Sequence, residues 1–533
     1  MPTFDTLIVG SGINSLVCAA LLTQRGQRVC VLERNDVLGG CIRTEELTRP
    51  GFRHDTLATL YPLFVTAPHF PALQAPLRAR GAEFVNVENP TGVLMPDGRA
   101  AVFTRDRERN AEEFGRLAAQ DRYAFLNAMQ EIERHADLSF HLLCDEPWSC
   151  STLRRMLHHG WRRGAESMGV YCGKALASCR SWLTSEFSSD VSRALIAPWV
   201  LHVGLGPTSG CSALMAKIVL FTLEAAGSPM VLGGGALLVE AFKTLIQDGG
   251  GECRVSAEVD RVLTSAGTAC GVLLKAGEEI RARVAVVCNV TPGQLYGTLL
   301  REETRLDAYR LQASRYRFGR AEMQIHLALD GPPEWPEERL AGVAMLHLTP
   351  GMDAVTRAVD EADRGLLPAE ATIVVAQPTA VDPTRAPPGK SILWIQLQEL
   401  PSRIAGDAKA EIDVRSEGRW TAEIGERYAD RIIDRLTHQI PNLARSIVGR
   451  HVISPADLER MNVNLVGGDP YSGDCSQDQF LLWRPFFAQK RHRTPIRGLY
   501  HIGAATHPGP GLGGISGYLV ARQIASHKWT RRH

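Results

Sequence analysis

The sequence predicts an α/β fold (α+β overall): a discontinuous Rossmann-type domain whose pieces lie far apart in the chain, and a second domain of mixed sheet and covering helices. Three observations predict it. Residues 4–33 read as strand, glycine turn, helix, strand and terminal acid. Residues 498–517 read as a closing strand, a glycine-rich loop and a final helix. Between these ends, Phe318 to Leu329 and Ile392 to Leu397 alternate as strands of a separate sheet do.

The N-terminal unit is the most specific. Phe4 to Val9 is a short apolar run, followed by Gly10-Ser11-Gly12 and then by a helical pattern from Ile13 to Arg25 that stops at Gly26. Arg28 to Leu32 is a second apolar run, closed by Glu33. A β-α-β unit with a glycine-rich first turn presents free N–H groups and the positive end of a helix to an anion. Gly10 allows the tight turn, Gly12 lets backbone approach a pyrophosphate, and Ser15 stands where the fingerprint has its third glycine. Glu33, 21 residues after Gly12, is placed to accept from ribose hydroxyls, which favours an unphosphorylated ribose: FAD or NAD, not NADP. Gly39-Gly40 follows Arg34 closely and tips the choice to FAD, whose long diphosphate must pass a second stretch of backbone.

The remaining elements follow in order. Met95 to Arg99 is a turn signal between apolar runs, so residues 84–103 form a hairpin. Residues 106–145 have helical period, with Leu117, Phe125, Met129 and Ile132 on one face. Residues 153–180 are basic and amphipathic, and two readings stay open: a solvated helix with an ordinary core stripe, or a membrane-surface helix that makes peripheral contact. Gly233-Gly234-Gly235 leads into a helix, and a strand-rich stretch follows to Asn289. The division is 1–75, 228–300 and 470–533 for the FAD domain, and 76–227 with 301–469 for the substrate domain.

Composition excludes several classes. Lys and Arg number 59 against 58 Asp and Glu, a net charge of +1, so the basic footprint of a nucleic-acid binder is missing. None of the twelve cysteines forms a Cys-x-x-Cys pair, which removes zinc-ribbon and thioredoxin readings, and no metal is expected. Cysteines inside apolar runs, as in Val29-Cys30-Val31, read as buried thiols of a reducing, cytoplasmic compartment. No basic segment precedes an apolar one at the N-terminus, so no secretory signal is expected. The longest apolar stretch, Ser212 to Leu238, is interrupted by Lys217 and Glu224 and is not a membrane span.

Leu32-Glu33-Arg34, Gly39-Gly40, Pro50-Gly51-Phe52 and Asp55 resemble the phytoene desaturase-like flavoproteins: carotenoid desaturases and isomerases, retinol saturase, and the pyridine nucleotide-disulfide oxidoreductase domain-containing protein 2-like subfamily. The far end resembles them independently, in Gly498 to Gly503, Thr506-His507-Pro508-Gly509, Gly511, Gly514 and Gly517, with Asp478-Gln479 and Arg484-Pro485 nearest the last subfamily. The resemblance implies FAD held non-covalently by Gly10, Gly12, Ile13, Asn14, Ser15, Glu33, Arg34, Gly39, Gly40, Val259, Gly503, Leu512, Gly513, Gly514 and Ile515. One departure stands out. Amine-oxidase relatives carry arginine directly after the Gly-Gly doublet, and here the residue is Cys41, read as a small neighbour of the cofactor and not as a thioether link.

The chemistry implied is hydride transfer to flavin from a C–C or C–N bond of a fairly apolar small molecule, forming a double bond. Redox-neutral isomerisation, amine oxidation and a non-catalytic flavin-bound scaffold are the alternatives. With no second Gly-x-Gly-x-x-Gly for a nicotinamide, O₂ or a quinone is the expected electron acceptor. Candidate catalytic residues are Glu322 and His326, which share a strand face with Gln324, and His507 in the closing loop. Trp394, Gln396 and Gln398 alternate in the same way. Oligomeric state is left open.

Overall fold

Fourteen strands form two seven-stranded sheets, with three two-stranded ladders beside them, in the computed structural model, which describes residues 2–414, 418–489 and 491–526; positions 1, 490 and 527–533 of the expected FAD segments and 415–417 of the expected substrate segment lie outside the described residues. In chain order the strands of these two sheets are β1 (Thr3–Val9), β2 (Val29–Leu32), β3 (Asn89–Leu94), β4 (Ala100–Phe103), β5 (Glu252–Arg254), β6 (Val259–Ser265), β7 (Thr268–Leu274), β8 (Glu279–Asn289), β9 (Ala321–Leu329), β10 (Val343–Leu348), β11 (Ile373–Ala376), β12 (Ser391–Leu400), β13 (Ile447–Ile453) and β14 (Leu499–Ile502). The helices that matter below are α1 (Ile13–Thr23), α2 (Ala119–Cys144), α3 (Cys150–Arg163), α4 (Ala165–Leu176), α5 (Ser212–Ala226), α6 (Gly235–Asp248), α7 (Ala422–Gln439) and α8 (Ile515–Ser526).

The first sheet runs β6-β7-β8-β1-β2-β5, with β14 pairing the C-terminal half of β8. Pairings β1/β2, β1/β8, β2/β5 and β8/β14 are parallel, with Val9 opposite Leu32 and Asn289 opposite Ile502. Strands covered on both faces read as unbroken apolar runs, and every residue of Val29–Leu32 is buried. One face packs on α1, α6 and α8 through Ile8, Val31, Leu16, Phe242 and Val520. The other packs Leu7, Leu32 and Val286 against Tyr296 and Phe486.

The second sheet runs β13-β9-β12-β11-β10-β3-β4, antiparallel except where β10 meets β3. The hairpin β3/β4 turns at Met95 to Arg99, where the Met95 N–H donates to the Arg99 carbonyl. Period two sorts the faces. Met323, Ile325, Leu327, Leu393 and Ile395 turn toward α7. Met345, Val374 and Trp394 turn the other way, toward a helical layer that includes α2 and α5. Among the described residues no helix is long and apolar enough to cross a membrane. All twelve cysteines are free.

Candidate active site

A cavity of about 810 Å³ runs from the C-terminal ends of β1 and β2 to the α2/α5-side face of the second sheet. That is the size of a cofactor-plus-substrate site. Gly10, Gly12, Ile13, Asn14, Glu33, Arg34, Gly39 and Gly40 line one end; Val259 and Leu512 to Ile515 line it too.

The dinucleotide end is built from backbone. Gly10 has φ +86°, and a Cβ there would press on the Asn289 carbonyl at 3.1 Å. α1 starts at Gly12 with no side-chain cap and no acid in its first turn, so its N–H groups and positive end stay open. The Glu33 carboxylate fixes the surrounding loop. Its Oε2 accepts from the Ser11 N–H at 3.0 Å and the Ser11 hydroxyl at 2.6 Å, and its Oε1 accepts from the Asn35 N–H at 3.0 Å. Ser11 Oγ in turn accepts from the Gly39 N–H at 2.9 Å, which ties the two glycine turns together. Each carboxylate oxygen retains acceptor capacity for a ribose hydroxyl. An open helix end, side-chain-free backbone and a carboxylate therefore meet at one end of the cavity, and they fit the diphosphate and ribose of FAD.

α8 brings a second helix N-terminus to the same cavity. A Cβ at Gly517 would run into the Asn14 carbonyl, so only glycine allows α8 to cross α1 this closely. The Ser516 hydroxyl donates to Asn14 Oδ1 at 2.7 Å and accepts from the Gly503 N–H at 2.9 Å. Gly503 and Ser15 do not line the cavity. Ser15 is buried and accepts from Asn289 Nδ2 at 2.9 Å. Both position the lining backbone instead of presenting themselves to it.

The opposite end is apolar, with one polar patch. Phe140, Leu143, Met215, Phe221, Met345 and Trp394 contribute the apolar wall. The patch is Glu322 with Gln396, Gln398 and Tyr471. Glu322 Oε2 accepts from Gln396 Nε2 at 2.7 Å, and Gln398 Nε2 donates to the Tyr471 hydroxyl at 3.3 Å. Burial pushes the Glu322 carboxyl up to about 8, against the lowering effect of the hydrogen bond from Gln396.

His326 and His507 require correction as catalytic candidates. His326 shares the Glu322 face, but the segment after β2 that includes His54 and Thr56 covers that part of the strand. Its ring lies 3.2 Å from the Thr56 carbonyl and edge-on to His54 at 5.2 Å, away from the cavity lining. His507 is buried with Nδ1 at 3.2 Å from the Leu481 carbonyl, and its neighbour Pro508 faces the cavity in its place. Burial pulls the His507 ring down to about 4, so it stays neutral.

Three contributors carried no sequence signal. Tyr471 sits in a loop without period, 149 residues from Glu322. Asn289 ends β8 and holds both glycine turn and helix start. His202 lines the cavity and pairs Nε2 to Nε2 with His347 at 2.9 Å. Burial pulls His202 down to about 3, so this pair is neutral. Cys41 lines the cavity, and burial pushes its thiol up to about 11.

Comparison with known proteins agrees with this geometry. A family model described as flavin containing amine oxidoreductase matches residues 16–425. Pyridine nucleotide-disulfide oxidoreductase domain-containing protein 2 of Mus musculus is 27% identical over 98% of this chain and 93% of its own length. A limonene dehydrogenase component of Castellaniella defragrans is 24% identical (98% and 94% covered), and a phytoene desaturase (neurosporene-forming) of Rhodobacter capsulatus 25% (97% and 93%). Among solved structures, an oxidoreductase from Methanosarcina mazei superposes with TM-score 0.60 at 16% identity, covering 97% of this chain and 99% of that one. A putrescine oxidase bound to putrescine superposes with TM-score 0.58 at 16% identity, covering 98% and 99%. At such identities these two structures speak for the fold alone.

Proposed function

The chain belongs to the flavin containing amine oxidoreductase family and is an FAD-dependent oxidoreductase, and we propose that it dehydrogenates a fairly apolar small molecule, converting a C–C or C–N single bond into a double bond. FAD, when bound, accepts the hydride. Gly10, Gly12, Ile13, Asn14, Glu33, Arg34, Gly39, Gly40, Val259 and Leu512 to Ile515 hold it, and Ser15 and Gly503 position that backbone. Segments 1–75, 228–300 and 470–533 form the FAD-binding part, and 76–227 with 301–469 the substrate part. Where the strands of the two sheets fall supports this division.

One observation carries the substrate reading: an apolar wall with a polar patch built on the buried acid Glu322, in the cavity that also receives both helix N-termini. Apolar side chains exclude water and orient a hydrocarbon skeleton. Removing two hydrogens as hydride and proton requires a proton acceptor, and an acid raised toward the working pH suits that transfer. Glu322 is that acceptor in its ionised form. The limonene dehydrogenase component and phytoene desaturases among the relatives favour a C–C bond. O₂ or a quinone then takes the electrons.

The test is anaerobic bleaching of the flavin absorbance by a panel of terpenoid, alicyclic and amine compounds, with product mass. Bleaching by an alkene or alicycle and a product lighter by two hydrogens is expected. Bleaching by amines alone, with the same loss of two hydrogens, would assign the C–N bond; no bleaching by any compound, or a product of unchanged mass, would overturn the reading.

A further inference from the structure

The helical hairpin α3/α4 carries its apolar stripe on the outside. In an ordinary surface helix the apolar residues face the core and the charged ones face water. In α3 the order is reversed. Leu153, Met156, Leu157 and Trp161 recur at helical spacing along one stripe, and all four are exposed, Leu157 at 65% and Trp161 at 83%. Thr152 is the one buried residue of the helix. Val170 and Leu176 on α4 are exposed as well. Six of the thirteen large hydrophobic residues exposed among the described residues thus fall within 24 positions. That clustering separates this surface from the scattered exposed leucines of any soluble protein.

Charge says what covers it. α3 contains Arg154, Arg155, Arg162 and Arg163 and no acidic residue. At 100° per residue Arg154 borders the stripe beside Trp161, and Arg163 borders it beside Met156. The hairpin is tied down from the inner side. His159 Nε2 lies 3.1 Å from His135 Nδ1 on α2, Arg163 donates to the Arg134 carbonyl at 2.9 Å, and Tyr171 stacks on His135. A stripe of leucine, methionine and tryptophan bordered by arginines suits an interface of acyl chains and anionic headgroups, where the rings and alkyl groups insert and the guanidinium groups meet phosphate. A protein partner would have to supply both a hydrophobic slot and a run of acids.

Position adds a second argument. α3 begins six residues after Cys144 at the end of α2, and Phe140, Leu143 and Cys144 line the cavity. Leu63, exposed at 45%, lines it too. Part of the apolar cavity wall, Phe140 to Cys144, therefore lies close in sequence to the unpartnered stripe.

We infer that α3 and α4 form an interfacial helical hairpin that seats the protein on an anionic lipid surface. The inference stands on exposure and charge, independently of which bond the enzyme oxidises. The experiment is flotation of the FAD-loaded protein with phosphatidylcholine vesicles containing or lacking phosphatidylglycerol, at low and high salt. Binding to the anionic vesicles, weakened by salt, is expected. The exposed double substitution Leu157→Glu/Trp161→Glu should lower vesicle partitioning at least tenfold and leave the flavin spectrum unchanged. Failure to float with anionic vesicles, or flotation that the double variant retains, overturns the inference. So does a stable homodimer in size-exclusion chromatography that the same substitutions dissociate, since a second copy would then be the cover.

Discussion

Glu322 Oε1 lies 3.1 Å from the Tyr471 hydroxyl, and that hydroxyl lies 2.6 Å from the Leu201 carbonyl. A phenol has one proton to give. Spent on the shorter contact, to Leu201, it leaves the Glu322–Tyr471 contact without a hydrogen unless the carboxyl supplies one. Burial favours the same protonated acid. At neutral pH Glu322 is therefore a carboxylic acid facing an apolar cavity, and it becomes a proton acceptor as pH rises through about 8.

The rate should follow that titration. For an active substrate, kcat/KM is expected to rise with pH and level off above about 8. Glu322→Gln reproduces the shape and hydrogen bonds of the neutral acid and accepts no proton. It should lower kcat/KM by ~10²–10⁴-fold and flatten the profile. A variant with the wild-type rate and profile would remove Glu322 from the chemistry.

The same acid makes a stability prediction with a definite sign. An unfolded glutamate ionises near its ordinary value of 4.5, while the folded Glu322 holds its proton to about 8. Between these values the folded state binds more protons than the unfolded one, so stability falls as pH rises, by up to ~1.4 kcal/mol per pH unit. Above about 8 both states are ionised and the slope vanishes. Glu322→Gln lacks this slope. Its Tm should gain on wild type from pH 5 to pH 8, measured by calorimetry in matched buffers; a constant gap would refute the protonated-acid assignment.

Cys41 predicts how the cofactor leaves. Its buried thiol, pushed up to about 11, is not a thiolate nucleophile at neutral pH, and Asn462 Nδ2 lies 3.6 Å from its sulfur. FAD should pass fully into the supernatant on heat denaturation, with equal recovery from wild type and Cys41→Ser. Flavin retained in the wild-type precipitate and released from the variant would establish a covalent link.

The two ends of the site differed in how far the sequence revealed them. Gly10, Gly12 and Glu33 are legible because one β-α-β unit fixes their geometry locally: strand, turn and helix place the turn and the acid whatever the rest of the chain does. The face of Glu322 and Gln324 is legible from period two, and Gln396 stands opposite Gln324 in register. What covers that face is not local. His326 lies under a segment 270 residues earlier in the chain, and Tyr471 reaches Glu322 from a loop whose φ/ψ choices leave no repeating pattern. Alternation names a strand face, but only tertiary packing decides which stretch of it meets a cavity. The same limit applied to α3, where an amphipathic pattern reads alike whether its apolar stripe turns inward or outward.

Gly517 gives the sharpest test of how the second helix end is held. Its missing side chain lets α8 rest on the Asn14 carbonyl, and the Ser516–Asn14 and Gly503–Ser516 hydrogen bonds close around that contact. A methyl group there must push the helices apart, since the atom it meets is backbone and cannot rotate away. Gly517→Ala should cost about 1–3 kcal/mol, as overpacking of a tight contact does. Moving Asn14 also moves the start of α1, so the flavin-to-protein ratio at 450 nm should drop with the Tm. Gly169→Ala, on α4 with open space around it, is the matched control and should lower neither. Equal flavin content in both variants would mean that the α1/α8 contact does not shape the cofactor site.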